Sequence, residues 1–388
     1  MEEKAEEAEA AEARALAEAA EEIKKIREVL LEVNNPLFFF DNDVDGLAAF
    51  LIFYKTFGKG KAVAIKSFPE LNPSYARKIS ELKADCIFIL DKPRVAKGFF
   101  ELVEKLNVRV IWIDHHIDNL GFSEKKTSEE QGWIFFNPTL YGINRPTTYW
   151  AYQIAGKPKA LAWIAALGCL ADWFIPEFID DVYKEHQELF EKKPEKQELK
   201  KPEEVGKLLY ETTFGKLILL LNFALKDTTT NIIKLVKFLS SINTPSQILE
   251  ESKKNRQMHK RARQIFKHYE KLLAKAKKLI KPSQDFVWFQ YGGSLSISAE
   301  LSNALLYAWP NKLIVVAYIK DERARISIRS NVKVRDIVLK ALEGLEGASG
   351  GGHESALGAN VRVEDLPAFK EKLARLWREL KKSLAENK

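Results

Sequence analysis

A chain of 388 residues is long enough for two domains with separate cores, and its 46% hydrophobic and 11% aromatic content excludes wholesale disorder. The formal charge of +7 is uneven: residues 1–33 carry eleven Glu against five Lys and Arg, net −6, which leaves +13 on the remainder, a body suited to a polyanionic partner. No run of about 18 uncharged apolar residues is present and the acidic N-terminus does not read as a signal peptide, so a soluble, cytoplasmic protein without a membrane span is expected.

Residues 2–33, rich in Ala and Glu, are expected to be helical. Leu16, Ala19, Ile23, Ile26, Leu30 and Val33 fall on a and d positions of a short heptad pattern. Two readings stand side by side: a helix packed on its own domain, or one that docks a partner or a second copy. This segment is set apart as residues 1–35.

Residues 36–180 read as an α/β domain built on a doubly wound parallel sheet. The run Leu37-Phe38-Phe39-Phe40 ends in Asp41-Asn42-Asp43-Val44-Asp45-Gly46, a buried strand that presents three acids at its tip. Alone, that cluster also suits a calcium-type loop or a solvated acidic turn. Two further apolar runs repeat the arrangement: Cys86–Leu90 ends in Asp91, and Val108–Ile113 ends in Asp114-His115-His116. A fourth acid, Asp172, closes the apolar helical run 160–171. Acids and imidazoles beyond the carboxyl ends of several parallel strands mark the usual place for a site, and like charges so close call for a cation. Helices are expected near 47–57, 73–82 and 97–106. Trp133–Phe136 reads as another strand, and Thr147 or Thr148 as the cap of a helix through Ala155. Cys86 and Cys169 lack zinc-type spacing and are expected as core thiols in a reducing compartment.

Residues 181–282 read as a helical insertion followed by a connecting helix, with breaks at Lys193-Pro194 and Lys201-Pro202. The connecting stretch 253–281 has twelve Lys and Arg against a single acid, Glu270, with Met258, Ala262, Ile265, Tyr269, Leu272, Ala276 and Leu279 as its apolar stripe. Such a charge run is either a solvated face or the border of a binding cleft.

Residues 283–388 read as a second, smaller α/β domain, with strands at 286–290, 313–319 and 324–329 and helices at 297–308, 334–343 and 365–383. Between them lies Gly350-Gly351-Gly352-His353. A glycine cluster beside a helix start lets backbone N–H groups approach a phosphate.

The acid motifs in this order, with Asp114-His115-His116 and the terminal Gly-Gly-Gly-His, resemble the DHH phosphoesterase superfamily, and the last element resembles the DHH-associated domain of its RecJ-like, archaeal-type subgroup. The resemblance spans positions 41–359. It implies a two-metal phosphodiesterase acting as a single-stranded DNA or RNA exonuclease in replication or repair, with Mn²⁺, or alternatively Mg²⁺, held between the domains. Carried over by motif, Asp41, Asp43 and Asp91 hold one ion; Asp45, Asp91, His115 and Asp172 hold the other. Asp43, Asp45, His115 and His116 are the implied catalytic residues, with His116 on the scissile phosphate and Asp114 orienting an imidazole or a neighbouring loop. Arg329, Ser330, Gly351, Gly352 and His353 match positions that bind substrate phosphate. Asn42, Val44 and Lys92 depart from the common pattern, and Lys92 is expected close to the site. A phosphodiesterase for short oligonucleotides or cyclic dinucleotides shares every motif. From another class comes a helicase or replisome partner protein, docking through residues 1–33. A type II pyrophosphatase lacks the glycine-bearing domain.

Overall fold

The computed structural model describes residues 2–67, 70–117, 132–191 and 202–386, and the chain divides into two compact units, 1–263 and 264–388. In the first unit, β1 (Pro36–Asp41), β2 (Lys61–Ile65), β3 (Cys86–Leu90), β4 (Arg109–Ile113) and β5 (Ile134–Phe136) form a wholly parallel sheet in the order β2-β1-β3-β4-β5. Phe38, Phe40, Phe88, Leu90, Ile111 and Ile113 pack into the core on one face. Leu37, Phe39, Ile87, Ile89 and Val110 pack on the other. Burial on both faces is why these strands read as unbroken apolar runs. The edge strand β2 has only Ile65 fully buried, so its sequence carries no such run.

The chain steps outward from β1 to β2 and then returns past β1 to β3. The order therefore reverses between β1 and β3, and ligands of open parallel sheets bind beyond the carboxyl ends at such a point. Asp41 ends β1, and Asp91 follows β3.

The helices of this unit are α1 (Glu2–Glu32), α2 (Val44–Phe57), α3 (Arg77–Glu81), α4 (Lys97–Leu106), α5 (Thr147–Ile154), α6 (Ala162–Ala171), α7 (Ile179–Glu185), α8 (Pro202–Glu211), α9 (Thr213–Leu225), α10 (Thr229–Ser241) and α11 (Ser246–Leu249). From residue 19 onward the heptad face of α1 is used within its own unit. Ala19, Ile26, Val29 and Leu30 are buried in the core that holds Phe38, with Ile23 and Val33 packed against it. Leu16 is exposed. The region expected as an insertion does not stand apart either. Phe214, Leu217, Leu221, Ile232, Leu235, Leu239 and Ile248 belong to that same core. The expected breaks at Lys193-Pro194 and Lys201 lie outside the described residues.

The basic helix is α12 (Arg256–Leu279), and the boundary between units falls within it. Met258, Ala262, Ile265, Tyr269 and Ala276 of its stripe are buried, whereas Leu279 is exposed.

In the second unit, β6 (Phe286–Gly292), β7 (Leu313–Lys320), β8 (Arg323–Arg329), β9 (Ser349–Gly352) and β10 (Ala356–Arg362) form a mixed sheet in the order β6-β7-β8-β10-β9, parallel only between β6 and β7. Helices α13 (Ser298–Ala308), α14 (Arg335–Leu342) and α15 (Leu366–Glu386) complete it. The glycine cluster is thus a strand, which corrects its reading as a loop at a helix start. Three successive glycines carry no side-chain alternation from which β9 could be read. Among the described residues no single helix is long and apolar enough to cross a membrane.

Candidate metal centre and phosphate-binding corner

The centre is assembled at the reversal between β1 and β3. A Cβ on Gly46 would sit 2.7 Å from the carbonyl oxygen of Asp41, so only glycine lets α2 begin this close behind the strand. Asp43 is the N-cap of α2, its Oδ1 accepting from the Gly46 N–H at 3.0 Å. Asp45 is the second residue of α2, within its first turn, and has no solvent exposure. Its Oδ2 accepts from the Thr147 N–H at 2.9 Å and its Oδ1 from the Thr148 N–H at 2.8 Å. The first turn of α5 thus holds a carboxylate, as helix N-termini favour. The residue at the cap position is Pro146, which corrects the expectation that Thr147 or Thr148 caps the helix. Instead, the Thr148 hydroxyl donates to the Asp45 carbonyl at 2.7 Å and that of Thr147 to Asp91 Oδ1 at 3.2 Å.

Asp91 is buried and adopts the left-handed conformation, φ 59°, and Trp173, directly after Asp172, does the same at φ 58°. Such strain in residues other than glycine concentrates at functional sites. His115 Nε2 lies 3.1 Å from Asp172 Oδ2, 3.2 Å from Asp91 Oδ1 and 3.6 Å from Asp45 Oδ2. His116 turns its Nδ1 to Asp114 Oδ1 at 2.9 Å, and its backbone carbonyl accepts from Asn137 Nδ2 at 2.9 Å. Asp114 therefore orients an imidazole. Asn137, buried after β5, is a support that the sequence reading did not single out.

Crowding sets the protonation. Burial, then the carboxylates of Asp41, Asp172 and Asp45, push Asp43 up to about 7. Burial and Asp172 push Asp45 up to about 6, and burial with Asp45 and Asp43 raises Asp91 well above the usual carboxylate range. Burial disfavours the His115 cation, yet Asp172 and Asp91 outweigh it and raise its pKa well above the usual imidazole value. Burial likewise opposes the Asp114 carboxylate, which His116 and His115 nevertheless hold low. Without a cation, such a cluster must retain protons that a metal would release.

Donor atoms of Asp45, Asp91 and His115 all lie within 4.8 Å of one another in buried positions, and Asp172 joins them through His115. This oxygen and nitrogen set fits a divalent cation of the Mn²⁺ or Mg²⁺ kind. Asp91, Asp114 and His116 form a second such group. Asp41 and Asp43 belong to no triad of this kind among the described residues. Beside Asp41 lies Lys92, buried, with Nζ 3.1 Å from Asp41 Oδ1 and 3.2 Å from the Ser67 carbonyl oxygen. The unusual flanks are structural: Asn42 Nδ2 donates to the Leu225 carbonyl at 3.1 Å, and Val44 is a core residue.

In the second unit, β8 and β10 bring the other candidates to one corner. Arg329 pairs with Ala356 in the ladder, and its guanidinium donates to Asn303 Oδ1 at 2.6 Å and to the Ile328 and Leu357 carbonyls. The Ser330 N–H donates to the Ser355 carbonyl at 3.0 Å, and the His353 N–H to that of Ala356 at 3.0 Å, closing the β9–β10 turn. Gly352 has a positive φ of 128°, and a Cβ there would meet the Ala356 carbonyl oxygen at 2.6 Å, so both the backbone and the space call for glycine. The Val334 and Arg335 N–H groups at the start of α14 are taken by the Glu354 carbonyl. The turn thus caps a helix rather than opening one.

Residues 285–379 match the DHHA1 domain. No curated protein matches the chain by sequence. Among solved structures, a DHH-domain protein described as a member of a family of ribosomal proteins superposes with a TM-score of 0.65 at 16% identity, over 96% of this chain and 97% of that one. RecJ from Thermus thermophilus in complex with Mn²⁺ gives 0.61 at 14% identity, over 92% of this chain and 54% of that one. An exonuclease RecJ bound to manganese gives 0.57 at 16%, over 90% and 93%. The chain carries a DHHA1 domain and has the RecJ-like DHH fold.

Proposed function

We propose that this protein is a divalent-metal-dependent phosphodiesterase that acts as an exonuclease on single-stranded DNA or RNA, in the cytoplasm and in the service of replication or repair. The observation that carries the reading is the buried group of Asp45, Asp91 and His115, joined by Asp172, at the reversal point of a parallel sheet. The bound cation, proposed as Mn²⁺ with Mg²⁺ as the alternative, would polarise the phosphoryl oxygen and lower the pKa of attacking water. Asp45, fixed by two N–H donors of α5, is the preorganised ligand. Asp91 and His115 complete the cradle with Asp172. His116, its ring set by Asp114, is the proposed donor to the scissile phosphate. Arg329, Ser330, Gly351, Gly352 and His353 are proposed to bind a phosphate of the substrate, a task for which a guanidinium is well shaped.

A second reading, hydrolysis of short oligonucleotides or cyclic dinucleotides, is favoured by one observation on α12. Arg261 donates to the Lys226 carbonyl at 2.7 Å and Arg263 to Glu251 at 2.6 Å, so part of the basic run serves structure rather than a strand. A partner role through α1 finds its heptad face from Ala19 to Val33 already occupied, and docking of a helicase, a replisome protein or a second copy would need another face. Digestion of 5′- and 3′-labelled single strands and of a dinucleotide, with Mn²⁺ or Mg²⁺, separates these readings. Progressive shortening of long strands, lost in His115→Ala, is the expected result. Cleavage confined to the dinucleotide would favour the second reading, and no cleavage of either the partner role.

A further inference from the structure

We infer that Lys92 stands in for one of the two metal ions that the family resemblance implies, so that the protein holds a single tightly bound divalent cation. This rests on the proposed metal centre and specifies its composition. The cation lies at Asp45, Asp91, His115 and Asp172, while the Lys92 ammonium neutralises Asp41.

Three observations carry the inference. First, Lys92 is held at both ends. Its Nζ donates to Asp41 Oδ1 and to the Ser67 carbonyl, and its own carbonyl accepts from the Trp112 indole N–H at 2.9 Å. With 2% of its surface exposed, it cannot leave Asp41 without stranding a buried ammonium, which is costly. Second, the Asp41 oxygen that meets Lys92 has a further partner, since Oδ1 also accepts from the Asn42 N–H at 3.0 Å. Third, donor atoms of Asp45, Asp91 and His115 converge within 4.8 Å, whereas Asp41 and Asp43 enter no such triad among the described residues. A divalent ion at Asp41 would face a fixed like charge sharing the same carboxylate. Lys92 is thus a positioning residue that sets the metal count, and its place directly after Asp91 ties it to the ligand set.

The test is Mn²⁺ titration of the metal-free, full-length protein, read by native mass spectrometry and by electron paramagnetic resonance. Wild type should take up about one tightly bound Mn²⁺ per chain, with the spectrum of an isolated ion. Lys92→Met and Lys92→Gln should each gain a second Mn²⁺, with the spectrum of an exchange-coupled pair. Two tightly bound ions in wild type overturn the inference without any variant, and so does a folded Lys92 variant that still binds one. Wild type that binds no Mn²⁺ at all would instead remove the metal centre itself, and this inference with it.

Discussion

Asp43 and Asp45, two positions apart, are held in different ways, and their responses to substitution should differ. Asp43 caps α2 while its carboxyl is pushed up to about 7 by burial and then by Asp41, Asp172 and Asp45. A folded-state pKa above the unfolded value of about 3.9 means that its contribution to stability is complete below about pH 4 and lost as pH rises through about 7. In EDTA, Asp43→Asn, which keeps the cap, should therefore raise stability by on the order of 1–3 kcal/mol at pH 8 and leave it unchanged at pH 4. Urea melts at the two pH values check this; the same gain at both would count against charge repulsion. Asp45 instead accepts N–H groups of α5 on both oxygens and is a proposed ligand of the cation. Asp45→Asn should abolish tight Mn²⁺ binding in calorimetry and lower turnover by roughly a thousandfold or more, the loss of several kcal/mol of charge stabilisation. Near-wild-type Mn²⁺ affinity in that variant would move the centre elsewhere.

At the scale of elements, α12 and α1 show how one sequence pattern serves two ends. Among the cations of α12, Arg261 and Arg263 have local hydrogen-bond partners, whereas Lys260, Lys267, Lys271 and Lys275 are exposed. Changing those four lysines to Gln should weaken a long single strand and flatten log K against log salt by roughly 0.7 for each phosphate no longer neutralised, while a dinucleotide is hydrolysed as before. An unchanged salt slope would leave α12 a solvated face. Arg261→Gln should lower the melting temperature instead, since it unties the Lys226 carbonyl. In α1, Ile26 has no exposed surface, and Ile26→Ala should cost about 2–4 kcal/mol in a denaturant melt. A cost near zero, with loss of self-association or partner binding, would restore the docking account of this helix.

Across the whole molecule, Asp45, Asp91, His115 and Asp172 lie in the first unit, and Arg329, Ser330, Gly351, Gly352 and His353 lie in the second. Arg329→Ala or His353→Ala should therefore lower kcat/KM by roughly 10- to 100-fold, as expected for a charged hydrogen bond, with Mn²⁺ affinity unchanged. Loss of Mn²⁺ binding in either variant would assign the residue to the metal centre instead. Thermal melts of both variants separate this from the structural role of the Arg329 hydrogen bonds to Asn303 and the Leu357 carbonyl.

What the sequence determined by itself was the local chemistry: which segments are apolar enough to be strands buried on both faces, and which acids and imidazoles close them. Leu37–Phe40, Cys86–Leu90 and Val108–Ile113 are short and continuous, so strand type and the exit of Asp41, Asp91 and His115 at their ends follow from composition and order alone. Where a pattern has two possible partners, composition carries no preference. The face from Ala19 to Val33 packs on its own unit, where it covers the core that holds Phe38. β9 has no side chains to reveal it and exists through its ladder with β10. Only the tertiary structure set Thr147 and Thr148 on Asp45 and put the Lys92 ammonium against Asp41, because both pairings join segments dozens of residues apart. Charge at such distances in sequence is decided by which strand ends the sheet order makes neighbours.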